Sequence, residues 1–346
     1  MFKKLLFLIP FLIFASECNA QKFRTALDYM NFISRQQVLI VKSSWRYTQA
    51  IAHSKDDRTI DKKRTILIRS IDRAIMKITK AQGFEGETEY KEKVLRNLEI
   101  NKSLLLEDYA EIIDMQAVAE QSYDAMEAYI LAQELADQKM AEAQKEYEEN
   151  FYAYAKKHDI TVFEGQSELG KKMEISNKVF DYHNDLYLIF FKVHFNESNL
   201  LDAIKEKDIS AIRQNINALK MAVQEGLKEV DSVPLYKKDD RIVKAVKEVF
   251  QIHLNETNNT IPQILDYLVL QEDFEKIQAA IEKTPETDRT NEQIDNYNNK
   301  VDVLNEKSEL INKLIDKLFK ERNKKLERLD RANAKFLDKH VPKYTI

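Results

Sequence analysis

NEQIDNYNNKVDVLNEKSELINKLIDKLFKERNKKLERLDRANAKFLDKH, residues 291–340, is the stretch whose reading decides the fold. Ile294, Tyr297, Val301, Leu304, Ser308, Ile311, Ile315 and Leu318 recur at alternating steps of three and four. That spacing puts them on one face of a helix, and a helix with an apolar face needs a partner to bury it. The register continues through Leu329, Ala332 and Phe336, while Arg322 and Lys325 interrupt its apolar character. The pattern predicts one helix from about Asn291 to His340, about 75 Å long at 1.5 Å per residue.

An earlier counterpart runs from about Ser122 to His158. Tyr123, Met126, Ile130, Met140, Tyr147, Phe151 and Tyr154 form its stripe, diluted by Gln133, Asp137 and Gln144. Shorter stripes occur at Leu67, Ile71, Ile75 and Ile78, and at Val179, Tyr182, Leu186, Phe190 and Val193. The whole chain has 5 Gly and 5 Pro among 346 residues, with 32% charged residues, which points to long helices and an all-α class. The breaks fall at Gly83 and Gly86, at Gly165 and Gly170, at Pro234 and at Pro285.

The order of these features repeats. Asp28-Tyr29-Met30-Asn31 opens the first half and Asp181-Tyr182-His183-Asn184 the second. A break precedes Tyr90-Lys91 in one and Tyr236-Lys237 in the other. Leu106-Glu107-Asp108-Tyr109 resembles Ile264-Leu265-Asp266-Tyr267. Each half closes on a long helix ending in an aromatic residue and Lys-His, Tyr154 to His158 and Phe336 to His340. The reading is an internal duplication. It predicts two tandem four-helix-bundle-like halves with long antiparallel helices, residues 21–162 and 172–346, joined by a linker at 163–171.

The N-terminus reads as an export signal. Lys3 and Lys4 precede the apolar run Leu5 to Phe14, and Ala20 offers a small residue before Gln21. The run is too short to cross a bilayer. Cleavage after Ala20 makes residues 1–20 a signal peptide. Lipidation at Cys18 is the competing reading, but Glu17 stands where a small residue is expected. The Ala20/Gln21 cut leaves a mature chain without cysteine, hence without disulfides or thiolate chemistry. No later stretch is apolar for long enough to be a transmembrane segment.

The chain carries 54 Lys+Arg and 58 Asp+Glu, a net charge of −4, which argues against nucleic acid as a general partner. Charge is unevenly placed. Leu106 to Glu149 holds 13 acidic residues and 2 lysines, whereas Lys313 to Lys343 holds 11 basic and 5 acidic residues. No Gly-rich phosphate loop, nucleophile elbow or zinc-protease motif occurs. Asp28, Asn31, Asp181 and Asn184 are read as helix-start hydrogen-bonding residues. Phe190, Phe191, Phe195 and Tyr187 nearly encircle their helix, which indicates deep burial.

One pattern admits chemistry. His194-Phe195-Asn196-Glu197 and His253-Leu254-Asn255-Glu256 are the same short motif twice. Residues three apart share a helix face, and helical bundles build di-metal sites from inward-facing Glu and His. His194, Glu197, His253 and Glu256 are therefore the alternative metal-ligand set. The preferred reading makes them boundary polar residues, with Asn and Glu on solvated turns. The order is His-then-Glu, and no further ligand motif appears on the remaining helices.

Asp181-Tyr182-His183-Asn184-Asp185, the Pro234-Leu235-Tyr236 break and Ile264 to Tyr267 together resemble a family of uncharacterised helical surface proteins of Bacteroidetes and Leptospira. The similarity covers about the second half. It implies a helical architecture at the cell envelope and carries no catalytic residues. The sequence expectation is an exported, non-enzymatic binding or structural module, periplasmic or on the outer surface. Its partner would be an envelope protein or envelope component, and no cofactor is expected. The alternative is a helical-bundle binder of a metal ion or small apolar ligand.

Overall fold

The computed structural model describes residues 22–54, 56–108, 119, 121–162 and 167–343. The signal segment 1–20, with Cys18, lies outside them, as does the cleavage position before Gln21. Among the described residues the chain is helical, with no strand. The first half holds α1 (Ala26–His53), α2 (Asp57–Lys80), α3 (Glu89–Ser103) and α4 (Tyr123–Lys157). The second holds α5 (Glu168–Lys205), α6 (Ile209–Ser232), α7 (Arg241–Asn255), α8 (Ile261–Lys283) and α9 (Asn291–His340).

Local chemistry sets the helix starts. Thr25 and Asp28 form a capping box at α1, and Thr290 and Gln293 form another at α9. Ser122, Ser167 and Asp208 each accept a backbone N–H in the first turn of α4, α5 and α6. The Ser167 cap starts α5 inside the stretch expected as linker, because Gly170 continues the helix instead of breaking it. Asp181 and Asn184 therefore lie well inside α5, and only Asp28 of the four expected start residues caps a helix.

The described elements of the two halves share their order and register as far as the π turns; beyond its own, the second half holds two helices, α8 and α9, separated by a 3₁₀ turn at Glu286–Asp288, so it has five helices where four were expected. Three-residue 3₁₀ turns at Phe84–Gly86 and Tyr236–Lys238 precede 15-residue helices, α3 and α7. Five-residue π turns, Leu104–Asp108 and Glu256–Thr260, follow them. Each pair is offset by 152 positions. Both 3₁₀ turns contain consecutive left-handed residues, Glu85 and Gly86 in one and Lys237 and Lys238 in the other. Buried positions follow the same offset, with Leu67, Ile71, Ala74 and Ile78 against Leu219, Val223, Gly226 and Val230. One swap is compensatory. A Cβ on Gly226 would stand 2.8 Å from Phe250, whereas the first half pairs Ala74 with the smaller Leu98.

Two of the expected sequence correspondences slip against this register. Tyr236 lies in its 3₁₀ turn opposite Phe84, while Tyr90 sits in α3 opposite Ile242. Leu106 to Asp108 belong to the π turn, whereas Ile264 to Tyr267 lie beyond the second one, in α8. Tyr109 lies outside the described residues. The closing match holds at an offset of 182: Tyr154 and His158 end α4 as Phe336 and His340 end α9.

Each half has its own core. Tyr29, Ile33, Leu67, Ile71, Ile78, Tyr90 and Val94 anchor the first. Leu186, Val193, Leu219, Val223, Val246, Phe250 and Phe336 anchor the second. A smaller cluster joins α4 to α5 through Met126, Ile130 and Phe191. The halves also meet where Gln49 Nε2 donates to the carbonyl of Pro342 at 2.5 Å. No described helix is long and apolar enough to cross a membrane.

Candidate functional site

Four helical segments of the second half bring an ionic cluster into its interior. Glu197 projects from α5, His253 from the end of α7, Glu256 from the π turn and Arg322 from α9. Each is at most 4% exposed. The π turn contributes directly. Glu256 opens it, three residues after His253 and on the same inward face, and Thr257 Oγ1 donates to the carbonyls of His253 at 2.9 Å and Leu254 at 3.1 Å.

Arg322 sits between the carboxylates. Its Nε donates to Glu256 Oε2 at 2.8 Å and lies 3.1 Å from Glu197 Oε1, and its Nη2 is 2.7 Å from Glu256 Oε2. His253 presents Nε2 to Glu197 Oε2 at 3.4 Å and Nδ1 to Glu256 Oε2 at 3.5 Å. Neither contact makes a well-formed hydrogen bond. His194 lies at the boundary, its side chain 41% exposed, with Nδ1 3.0 Å from Glu197 Oε2. Burial raises the Glu197 carboxyl, but the His194 hydrogen bond and the fields of His253 and Arg322 outweigh it and hold it below the usual carboxylate range.

The four residues of the alternative metal set thus do converge, but around a guanidinium. Among the described residues, no group of three or more His, Cys, Asp or Glu side chains is placed to hold a metal ion. The preferred reading also needs correction. His253, Glu197 and Glu256 are core residues instead of boundary residues on solvated turns, because Arg322 on α9 compensates the carboxylates. Arg322 was visible in the sequence as a charge four residues after Leu318, on a stripe that is otherwise buried. A cation on a buried stripe requires buried anions.

The corresponding layer of the first half is uncharged. By the offsets above, Leu104 stands where Glu256 does, Asn101 where His253 does and Met140 where Arg322 does. Leu104 is buried.

A second polar feature recurs in both halves. His340 Nε2 lies 2.8 Å from Asp239 Oδ2, Lys339 Nζ donates to the same oxygen at 3.0 Å, and Arg241 Nε donates to Oδ1 at 2.9 Å. In the first half His158 Nε2 lies 3.0 Å from Glu87 Oε2, and Lys157 Nζ donates to Glu87 Oε1 at 2.8 Å. Both clasps tie the end of a closing helix to the residue after a 3₁₀ turn. Burial disfavours the charged Asp239, but hydrogen bonds from His340, Lys339 and Arg241 hold its carboxyl far below the ordinary value of 3.8.

A depressed folded-state value means that Asp239 stabilises fully above the unfolded value and that this stabilisation is lost as pH falls through the folded one. Stability of the second half should therefore decline progressively below about pH 4–5. Asp239→Asn should be clearly less stable than the parent at pH 7, with the gap narrowing towards pH 3. Denaturant titrations across that range check it, and a gap that stays constant would contradict it.

Among the described residues, two open grooves lie on the surface. One, of 610 Å³, lies between the start of α6 and α8, where Arg213 and Lys207 face Glu272 and Glu275 beside Leu268. The other, of 540 Å³, runs along α1 at Arg35, Val38 and Leu39. Asp231 and Ser232, which precede the Val233-Pro234 break, are the exposed last residues of α6. No protein family, curated protein or solved structure matches the chain.

Proposed function

We propose that the chain is an exported, non-enzymatic helical module of the cell envelope that binds a protein or another envelope component through the outer faces of its long helices. The observation that carries this reading is the use made of the polar core. The side chains best suited to chemistry, Glu197, His253 and Glu256, are occupied by Arg322. A guanidinium locked between two carboxylates fixes helix register and offers no general acid, base or nucleophile to a substrate. The exposed surface, by contrast, carries long charged helix faces. The signal-like residues 1–20 support export.

Cell fractionation with intact-mass measurement tests the location: the expected product is an envelope-associated chain beginning at Gln21. A chain retained in the cytoplasm would defeat the reading, and an acylated peptide beginning at Cys18 would establish the lipoprotein form. Affinity capture from envelope extracts then tests for a partner. The second reading, a metal ion held by His194, Glu197, His253 and Glu256, draws on their convergence. It requires the Arg322 guanidinium to vacate the site, since a cation cannot share those oxygens with it. Metal analysis of the purified protein should find no stoichiometric zinc, iron or manganese. A bound ion lost from His194→Ala/His253→Ala would make the second reading the leading one.

A further inference from the structure

α9 has a solvent face that changes the sign of its charge partway along. Lys313, Lys317, Lys320, Lys324, Arg328, Arg331, Lys335 and Lys339 follow one another at steps of three or four, and all are exposed. At about 100° per residue they occupy one face of the helix, over about 39 Å of its length. On that same face towards the N-terminus stand Glu292, Asp295, Asp302, Glu306 and Glu309, also exposed. The two lysines of that half, Lys300 and Lys307, fall off the face. Beside the change of sign are Val303 and Leu310, 39% and 54% exposed.

Some of these charges are used within the chain. Glu309 pairs with Lys313, Glu327 with Arg331, Glu248 with Arg328 and Asp239 with Lys339. Among the described residues the ion pairs of α9 do not include Lys317, Lys320, Lys324 and Lys335, nor Glu292, Asp295, Asp302 and Glu306. Three exposed carboxylates, Glu321, Glu327 and Asp338, also fall on the face within the basic stretch, which stays at net +5 against −5 for the acidic stretch. Four unpaired cations and four unpaired anions thus lie towards opposite ends of one face of one helix.

We propose that this face binds a second copy of the chain, with the two α9 helices antiparallel about a two-fold axis near Leu310. In that arrangement the acidic row of each copy lies along the basic row of the other, and the two Leu310 side chains meet at the axis. The patch is self-complementary, as an isologous contact requires. Parallel pairing sets like charges against like. An anionic surface would attract the basic row but repel the acidic row on the same face. The inference is independent of the reading of export and of the envelope partner.

Sedimentation velocity on the full chain tests it. A dimer is expected at about 50 mM salt that weakens strongly by about 500 mM, where screening shortens the reach of these charges. Lys317→Glu/Lys320→Glu/Lys324→Glu should weaken self-association at least about tenfold, and so should Asp295→Lys/Asp302→Lys/Glu306→Lys. All six positions are exposed, and circular dichroism should report an unchanged helix content. Mixing the two variants should restore dimers of mixed composition. A parent that stays monomeric at low salt, or single variants that associate as the parent does, would overturn the proposal. So would a monomeric parent that co-sediments with anionic lipid vesicles through the three lysines, which would identify an anionic surface as the occupant.

Discussion

Replacing Arg322 with methionine is expected to destabilise the second half by about 3–5 kcal/mol, the usual result of removing one partner from a buried ion cluster. The side chains are of similar length, so the loss is of charge more than of volume. Glu197 and Glu256 would be left facing each other and His253 in a region at most 4% exposed. Substituting all three charges together, as Glu197→Leu/Glu256→Leu/Arg322→Met, should be far milder and on precedent neutral or stabilising by up to about 4 kcal/mol. The contrast between single and triple variants in urea titrations separates a charge effect from a packing effect. A single variant within about 1 kcal/mol of the parent would mean that the cluster is held by something other than the guanidinium.

Phe336→Ala should be about as costly, at about 3–5 kcal/mol. The ring is fully buried, with centroids 5.4 Å from Tyr182, 5.8 Å from Tyr236 and 4.7 Å from His340. Its removal both opens a cavity and withdraws the packing that orients His340 towards Asp239. Tyr154 is its first-half counterpart, stacked on Tyr90 at 4.5 Å and next to His158 at 4.4 Å. Hydrogen exchange makes the pair more informative than either variant alone. If the two cores unfold as separate units, Phe336→Ala should lose protection in α5 to α9, and Tyr154→Ala in α1 to α4. Equal loss throughout from either variant would show that the chain unfolds as one cooperative body.

Much of the architecture was legible because the helices are long and breakers are few. The bounds of α9 match the expected Asn291 to His340, and α4 fills the space between its caps, Ser122 and His158. These are the places where apolar period and capping residues agree, so local and tertiary preferences point the same way. α5 starts earlier than its glycines suggest because glycine is a weak breaker: Gly170 costs about 1 kcal/mol in a helix, which tertiary packing readily outweighs. The repeated His–Glu motif points to the residues of the polar cluster but not to their burial. Their burial depends on Arg322, which is 66 residues from Glu256 and 125 from Glu197. No local pattern links those positions; only the packing of α9 against α5 and the π turn does. The clasps were legible only as a recurring Lys-His ending, because Asp239 and Glu87 occupy the short turns that periodicity does not describe.

The paired π turns bear on how this chain tolerates changes in length. A π turn holds one residue more than the α-helix it interrupts, and each residue turns a helix by about 100°. Glu256–Thr260 therefore works as a phase-setting element between α7 and α8. Val246 and Phe250 before it and Ile261, Ile264 and Leu268 after it all reach the same core, and the number of residues across the turn sets their relative angle. A deletion of one residue there would leave a well-formed rod whose distal half pointed its leucine and isoleucines elsewhere. In the second half, then, the insertion or deletion that is hardest to survive lies in the middle of a continuous helix, and the loops around it are the more forgiving places to cut or extend.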